Sequence, residues 1–279
     1  ALVDALERVC RHRGVELRVG QEVRRIEIER GRVRGVRMRA GETLEAEAVL
    51  CTCDPRHALL ELVEPRQLPA VPTRRVRAIR MRGTTAKVHL ALEAPLVFPA
   101  RPQAVTERVR IVPPSLDDLE RAFDAVKYGR CSDEPMLDVV QPTNSRSDLA
   151  PPGKAVASIL VHWAPHALAG GWNDDARAQL EQRVLDVLER VAPGTRERTI
   201  AVETLSPLDI EARYGVHGGH VLHGEHALDQ LLFMRPAMGL ANYATPVAGL
   251  WLGGSGSHPG GGITGAPGRL AARALLAGS

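Results

Sequence analysis

Residues 250–269 read Leu-Trp-Leu-Gly-Gly-Ser-Gly-Ser-His-Pro-Gly-Gly-Gly-Ile-Thr-Gly-Ala-Pro-Gly-Arg, and a tail rich in Ala, Leu and Arg follows them. The apolar run Leu250 to Leu252 predicts a strand, the glycines predict a loop, and the tail predicts a helix. A glycine-rich turn at a helix N-terminus binds anions, because unpaired backbone N–H groups and the positive end of the helix dipole point at the ligand. The stretch therefore suits a phosphate-bearing cofactor.

The glycines also match a known fingerprint, but at the wrong end of the chain. Gly260, Gly262 and Gly265 have the spacing of the dinucleotide-binding motif GxGxxG. That motif requires a second strand and an acidic residue about 20 positions further on. Only fourteen residues follow Gly265, so it cannot belong to the first βαβ unit of a Rossmann fold. A second contact to a cofactor held elsewhere and a purely structural turn both stay open.

Composition excludes several classes of protein. Net charge is +3, and only three of the 36 basic residues are lysines. The 33 acidic residues are interspersed with the arginines, and aromatic residues amount to 3%, so no nucleic-acid-binding surface is expected. The longest mostly apolar stretch, Ala155 to Val161, is too short for a transmembrane span, which leaves peripheral membrane contact open.

The four cysteines favour a reducing compartment and hence a cytoplasmic protein. They form neither a CxxC motif nor the pattern of a secreted disulfide framework. Cys51 and Cys53 lie two positions apart and share one face of a predicted strand. Small buried residues are the simpler interpretation of both.

Hydrophobic periodicity predicts alternating helices and strands, which indicates an α/β or α+β chain with mixed sheets. Asp54-Pro55, Ser115 and Asn173 are helix-start signals. Residues 206–246 are rich in Gly, His and Pro and read as an irregular loop. The first helix is predicted over 1–13, and the Asp54 helix extends through Leu62. The predicted strands are Val15 to Val19, a β-meander of Val23 to Ile28, Val33 to Met38 and Glu45 to Cys51, then Ala86 to Leu92, 136–140, 155–161 and Thr199 to Thr204.

The sequence argues against a metal site and against a serine hydrolase site. His217, His220, His223 and His226 are spaced by three, but neither a strand nor an α-helix keeps that spacing on one face. No metal site is therefore expected. Ser255 and Ser257 do not form the GxSxG elbow of a hydrolase. His258, followed by Pro259, is either a loop histidine bonded to a carbonyl or a polar contact to a cofactor.

Long motifs now point to a family. The run from Trp251 to Arg269 closely resembles the C-terminal signature of phytoene-desaturase-like FAD-dependent oxidoreductases, within the carotenoid desaturase and amine oxidase superfamily. Four other stretches resemble the same family, so the resemblance covers nearly the whole chain. They begin at Ala46 (Ala-Glu-Ala-Val-Leu-Cys-Thr-Cys-Asp-Pro), Met81 (Met-Arg-Gly-Thr-Thr-Ala-Lys-Val), Ser206 (Ser-Pro-Leu-Asp-Ile-Glu) and Gly218 (Gly-Gly-His-Val-Leu-His-Gly-Glu).

The resemblance implies a set of FAD-binding residues. Gly253 and Gly254 end the last strand of the FAD domain near the pyrophosphate and ribityl chain. The backbone of Val23 contacts the adenine, and His258 lies against the cofactor. At the N-terminus of the last helix, backbone N–H groups meet flavin oxygens. The residues there are Gly261, Gly262, Ile263 and Thr264. No side chain is implied as a catalytic base, since the flavin carries the hydride chemistry.

The resemblance also implies an incomplete FAD/NAD(P)-binding-type domain with an inserted mixed-sheet substrate domain. Residues 1–56 and 236–279 are expected to belong to the FAD domain, and 57–235 to the domain that covers an apolar substrate. The N-terminal half-domain with the genuine βαβ fingerprint is expected to be missing, so this chain alone would hold FAD poorly. It would then act with a separate N-terminal FAD-binding segment. The alternative is a non-catalytic fragment or binding protein that keeps the fold without FAD.

Overall fold

The structure, a computed structural model, describes residues 2–100 and 108–278. The chain divides into two compact units, unit 1 (Ala1–Ile79 with Ala227–Ser279) and unit 2 (Arg80–His226). Unit 1 is therefore built from both ends of the chain, whereas unit 2 is one continuous stretch. The functional division at 56/57 and 235/236 stays a prediction.

Strands and helices alternate along the described residues, which confirms an α/β chain with several sheets. The strands are β1 (Val23–Glu29), β2 (Arg32–Met38), β3 (Thr43–Glu45), β4 (Val49–Cys51), β5 (Thr85–Leu92), β6 (Arg108–Ile111), β7 (Leu137–Val140), β8 (Ala155–His162), β9 (Thr199–Leu205) and β10 (Leu250–Leu252). The α-helices are α1 (Leu2–His12), α2 (Ala70–Arg77), α3 (Leu116–Lys127), α4 (Asp174–Val191), α5 (Thr195–Arg198), α6 (Pro207–Tyr214) and α7 (Ala266–Gly278).

Unit 1 contains the β-meander, an antiparallel sheet in the order β1-β2-β3. Arg30 and Gly31 connect the first two strands with φ of 50° and 75°. Two consecutive residues with positive φ form the hairpin turn whose twist matches that of the strands. Ile26 and Val33 are 2% and 1% exposed, and the Ile26 N–H donates to the Leu62 carbonyl at 2.8 Å. The meander is thereby attached to the helical segment that follows β4.

Unit 1 also contains a two-stranded parallel sheet, in which Val49 pairs with Leu250 and Cys51 with Leu252. The prediction of one long third meander strand over Glu45 to Cys51 is therefore wrong. The Ala46 N–H still donates to the Arg34 carbonyl at 2.9 Å, but the Val49 N–H donates to Gly249 at 2.8 Å. Alternating side chains show that a segment is extended and leave its partner strand undetermined.

Unit 2 is an antiparallel sheet in the order β6-β7-β8-β5-β9. Its named strand pairs are all antiparallel. The prediction of a mixed sheet is therefore wrong for unit 2. One face carries buried apolar side chains, including Val88 and Ile159, and they join the apolar stripe of α4 in one core. The Asn173 side chain caps α4 by accepting the Ala176 N–H at 2.8 Å, as predicted.

Two further predictions are wrong, and one predicted helix takes an unusual form. Val15 to Val19 forms no strand, and Val19 is 90% exposed, because no strand of the described residues lies beside this segment to hydrogen-bond it. The helix predicted after Asp54 is present: Asp54 accepts the His57 N–H at 2.9 Å as an N-cap should, and the helix takes the π form over His57–Glu61. The region 206–246 contains α6, which begins with a capping box between Ser206 and Asp209.

Three of the family-like motifs meet in unit 2, where glycines allow their backbones to touch. The Gly83 N–H donates to the Gly218 carbonyl at 2.9 Å. A Cβ on Gly218 would lie 1.8 Å from the Met81 carbonyl oxygen, and one on Gly219 would lie 2.1 Å from the Pro207 carbonyl oxygen. Glu225 adds ion pairs to Arg80 and Arg82 at 3.1 and 2.7 Å. These glycines are therefore required by close packing.

We predict that Gly218→Ala destabilises the protein by at least about 2 kcal/mol, because the new methyl group meets backbone and the residue keeps φ of +62°. Gly215→Ala is the matched control. It has φ of +64° but no atom within 4 Å of the added Cβ, and should cost about 1 kcal/mol. Urea unfolding of both variants measures the difference. Equal losses would show that backbone conformation alone explains the effect.

Candidate functional site

The candidate site of unit 1 is the glycine loop, residues 253–265, between β10 and α7. The parallel ladder positions its start, since the Gly253 N–H donates to the Cys51 carbonyl at 2.8 Å. A Cβ on Gly254 would lie 2.1 Å from the Thr52 carbonyl oxygen. A Cβ on Gly253 would lie 2.9 Å from that of Ala271 in α7. These two glycines are thus needed to bring β4, the loop and the last helix together.

A buried arginine donates a hydrogen bond to the backbone of the loop. The Arg235 side chain is 1% exposed, and its Nη2 donates to the Ser255 carbonyl at 2.7 Å. Burial lowers the pKa of Arg235, although an arginine of this kind stays charged at neutral pH. The sequence contained no signal for this residue, because nothing distinguishes it from the many surface arginines.

The middle of the loop contains polar atoms that the described residues leave unpaired. The Ser257 hydroxyl and the His258 Nδ1 are buried and have no hydrogen-bond partner there. The backbone beside them is fixed, since the Tyr243 hydroxyl donates to the His258 carbonyl at 3.2 Å. Buried polar atoms without partners are rare in folded proteins and mark places where a ligand or water completes the bonding.

The loop ends in an exposed tip at the start of α7. Ile263 is 91% exposed and has φ of 58°, a conformation that β-branched residues rarely adopt. The Thr264 hydroxyl accepts the Ala266 N–H at 3.2 Å and so caps the helix. Exposed backbone with a strained apolar residue beside it is typical of a ligand-contacting segment.

Seven of the eight predicted cofactor contacts lie on this one loop. Val23 is the exception, because it begins β1 and pairs with Met38 in the meander sheet. The structure adds three residues to the candidate site that the sequence did not predict as cofactor contacts, namely Arg235, Tyr243 and Ser257. The cofactor roles of the eight residues stay predictions.

Unit 2 presents a polar face on the side of its sheet opposite the core. There Asp138 is 5% exposed and accepts from Arg110 at 2.7 Å and His162 at 3.1 Å. Burial raises the pKa of Asp138, but the hydrogen bonds from Arg110, His162 and Arg108 outweigh burial and hold it below its usual range. Lys87 shares this face, and its burial lowers its pKa. The charge of Asp138 opposes that shift, but no hydrogen bond or ion pair of Lys87 occurs among the described residues, so it is a candidate functional amine that sequence reasoning missed.

Unit 2 also has a groove of about 970 Å³ between α3 and α4. Its walls carry ion pairs, among them Arg183–Asp133 at 3.0 Å and Arg121–Asp118 at 2.5 Å. Walls of this kind suit a polar occupant better than an apolar one.

Residues 2–100 and 108–278 contain neither a candidate metal site nor a helix that could span a membrane. No three His, Cys, Asp or Glu side chains are arranged to bind a metal ion there. The four spaced histidines fall in irregular turns, one of them His217–Gly219. The helices of the same residues are each too short or too polar to cross a bilayer.

Comparison with known proteins identifies the family. The model of the flavin-containing amine oxidoreductases matches residues 1–276. The chain belongs to this family. A mouse protein, pyridine nucleotide-disulfide oxidoreductase domain-containing protein 2, is 33% identical over 99% of this chain and 49% of its own length. A hydroxyneurosporene desaturase of Cereibacter sphaeroides is 31% identical over 98% of this chain and 52% of its own length.

The resemblance to phytoene-desaturase-like proteins is thus confirmed. A zeta-carotene-forming phytoene desaturase of Myxococcus xanthus is 32% identical over 60% of this chain and 30% of its own length. This amine oxidoreductase family member spans about half the length of the first two relatives named. An oxidoreductase of Methanosarcina mazei shares the fold, with a TM-score of 0.59 and 20% identity over 99% of this chain and 52% of its own.

We predict that Arg235→Met destabilises the protein by about 2 kcal/mol, because it leaves the Ser255 carbonyl without the donor that the buried arginine supplies. Arg75→Met is the control. Arg75 also donates to a backbone carbonyl, that of Met238 at 3.0 Å, but it is exposed and should cost less than about 0.5 kcal/mol. Denaturant midpoints measure both. A loss for Arg75→Met as large as that for Arg235→Met would contradict the importance of the buried bond.

A second prediction concerns the charge of Lys87. The pKa of Lys87 is lower in the folded protein than the ordinary lysine value of about 10.4. Between these two pKa values the unfolded state binds more protons, so the stability of wild type relative to Lys87→Met rises with pH. Lys127→Met should show no such change over this range, because a hydrogen bond to Asp124 raises the pKa of Lys127 and places its titration above that of an ordinary lysine. Thermal melts from pH 7 to 10 measure both. Parallel curves for the two variants would contradict this account of Lys87.

Proposed function

We propose that this chain forms the flavin-proximal and substrate parts of an FAD-dependent oxidoreductase. The observation that carries the proposal is the glycine loop at the start of a helix, in a family described as flavin-containing. Two buried polar atoms of this loop have no hydrogen-bond partner among the described residues. The alternative, a purely structural turn, leaves the buried Ser257 hydroxyl and His258 Nδ1 without a reason.

The residues of the loop fit the flavin cofactor. Ser257 and His258 offer it a hydroxyl and a ring nitrogen, whereas Gly253 and Gly254 shape the loop by close packing against Ala271 and Thr52. Backbone N–H groups at Gly261, Gly262 and Ile263, beside the N-terminus of α7, would meet anionic or carbonyl oxygens. FAD supplies the oxidising chemistry when bound, by accepting a hydride from the substrate.

The substrate proposed is an apolar molecule. Support comes from the named relatives, which include desaturases of phytoene and hydroxyneurosporene. On this proposal the sheet of unit 2 contributes to the substrate domain, and Lys87 is the candidate on its polar face for holding or releasing a proton. The mixed-charge groove between α3 and α4 is not assigned to the apolar substrate.

A separate strand–GxGxxG–helix segment is the proposed partner. Within residues 2–100 and 108–278, the parallel sheet of unit 1 has only β4 and β10, although parallel strands are normally buried in larger sheets. None of the α1 side chains is buried, and Leu2, Val3, Leu6 and Val9 are between 55% and 74% exposed. A partner that extends the sheet and covers α1 accounts for both features. A cytoplasmic location is proposed with it, supported by four free cysteines.

The decisive experiment compares flavin retention by the chain alone and with such a segment supplied in trans. We expect flavin absorbance after desalting only when the segment is present. Absorbance retained by the chain alone would overturn the partner proposal. Absorbance in neither sample would overturn the flavin proposal and favour a non-catalytic protein that keeps the fold.

A point variant tests the loop itself. Ser257→Ala should weaken flavin binding about tenfold, the cost of one lost hydrogen bond, while leaving the flavin-free protein as stable as wild type or slightly more so. Thr204→Val is the matched control, because the Thr204 hydroxyl in unit 2 is also buried and unpaired among the described residues. It should leave the flavin affinity unchanged. Fluorescence titration in the presence of the partner segment gives the affinities, and an unaffected Ser257→Ala variant would remove this residue from the site.

A further inference from the structure

The start of β1 and the end of β2 hold a group of arginines that the proposed flavin chemistry does not use. They surround a pocket of about 360 Å³ in the meander of unit 1. Its lining consists of Arg24, Arg25, Arg37, Met38, Arg39 and Gly41. Among the described residues, the lining thus includes four arginines and no carboxylate. A pocket of this composition attracts negative charge.

An irregularity in the strand pairing brings two of these arginines together. Val23 pairs with Met38, and the next pair is Arg25 with Arg37. Arg24 is therefore an extra residue of β1, as in a β-bulge, which redirects side chains and is common beside functional sites. Neighbouring residues of a regular strand point to opposite faces. Here the extra residue allows Arg24 and Arg25 to line one pocket.

The pairing also places like charges opposite each other. Arg25 and Arg37 are directly opposed, and like charges in that position destabilise a sheet. Glu27 reduces the repulsion, because it forms ion pairs of 2.9 Å with Arg25 and 2.5 Å with Arg37. One carboxylate thus serves two guanidinium groups. The cluster keeps an excess of positive charge on the side of the pocket.

Arg24 is the member of the cluster that lacks a counter-charge. Arg25 has a second partner in Glu64 at 2.5 Å, and Arg39 pairs with Glu22 at 2.8 Å. No hydrogen bond or ion pair of the Arg24 side chain occurs within residues 2–100 and 108–278. The glutamates that pair with the other arginines do not line the pocket. The pocket is therefore open to an external anion, with the Arg24 guanidinium free to bind it.

We propose that this pocket binds a pyrophosphate group, either free or as part of a nucleotide. The planar guanidinium group donates two parallel hydrogen bonds to phosphate oxygens, which makes arginine well suited to such groups. Arg24 is the principal donor, and the other three arginines add positive charge around it. Four arginines around one pocket suit an anion of several charges better than a singly charged one.

The proposed pocket is separate from the proposed flavin site and does not rest on it. The pyrophosphate of FAD is expected at Gly253 and Gly254, and none of the four arginines is among the predicted FAD contacts. The neighbouring Val23 is the predicted adenine contact, so a nucleotide and inorganic pyrophosphate are both sources of the group. The experiment distinguishes them.

The test titrates the chain alone, without flavin, by isothermal calorimetry. The probes are inorganic pyrophosphate, adenosine diphosphate and adenosine. We expect pyrophosphate to bind and adenosine to give no heat, and the response to adenosine diphosphate shows whether a nucleotide is also accepted. Added salt should weaken binding, because exposed charges are screened. Binding of adenosine without pyrophosphate, or no heat from any probe, would overturn the proposal.

Variants locate the binding. Arg24→Gln should weaken pyrophosphate binding about tenfold, the value of a charge-assisted pair of hydrogen bonds at an exposed site. Arg32→Gln is the matched control, because Arg32 is also exposed, has no ion pair among the described residues and lies about 16 Å along β2 from Arg37. It should change the affinity by less than about twofold at 0.15 M salt, where charges more than about 8 Å apart are screened.

Two outcomes would contradict the assignment to this pocket. Equal losses in Arg24→Gln and Arg32→Gln would attribute binding to the general charge of the meander. A loss in Ser257→Ala with none in Arg24→Gln would place the anion at the glycine loop. Arg24 is exposed, so its replacement leaves the fold intact and the affinities comparable.

Discussion

The parallel ladder between β4 and β10 is the interaction on which unit 1 depends. It joins residues from opposite ends of the chain through three paired positions, from Val49–Leu250 to Cys51–Leu252. Leu250 and Leu252 are each 1% exposed, so the pairing is anchored by burial as well as by backbone hydrogen bonds. The ladder positions the glycine loop, because the loop starts where β10 ends and packs against the residues that follow β4.

Close backbone approach is the second constraint, and it explains the long family-like motifs. In each unit, a backbone carbonyl oxygen occupies the space that a Cβ would need, so the residue there is glycine. The pairs are Gly254 with the Thr52 carbonyl in unit 1 and Gly218 with the Met81 carbonyl in unit 2. Motifs that are distant in sequence are thereby held against each other. Replacing such a glycine even with a small residue creates a steric clash with backbone, which cannot move away as a side chain can.

Local signals in the sequence predicted most single elements. The Asn173 cap with the apolar stripe of α4, the hairpin glycine at 31 and the strand–loop–helix order of the last thirty residues depend on neighbouring residues and are present in the structure. Non-local pairing was not predictable in the same way. The sequence could not show that Val49–Cys51 leaves the meander, that the unit 2 sheet is antiparallel or that Val15 to Val19 lacks a partner strand.

The same distinction between local and non-local information applies to the candidate site. The sequence by itself determined the glycine loop, its place before a helix and the family, because these follow from residue types in consecutive positions. Only the tertiary structure decided that Arg235 supports the loop and that Lys87 lies half-buried. It also decided that Ser257 and His258 have buried atoms without partners among the described residues. Burial, pKa and hydrogen-bond partners are properties of the surroundings, and the surroundings come from residues far away in the chain.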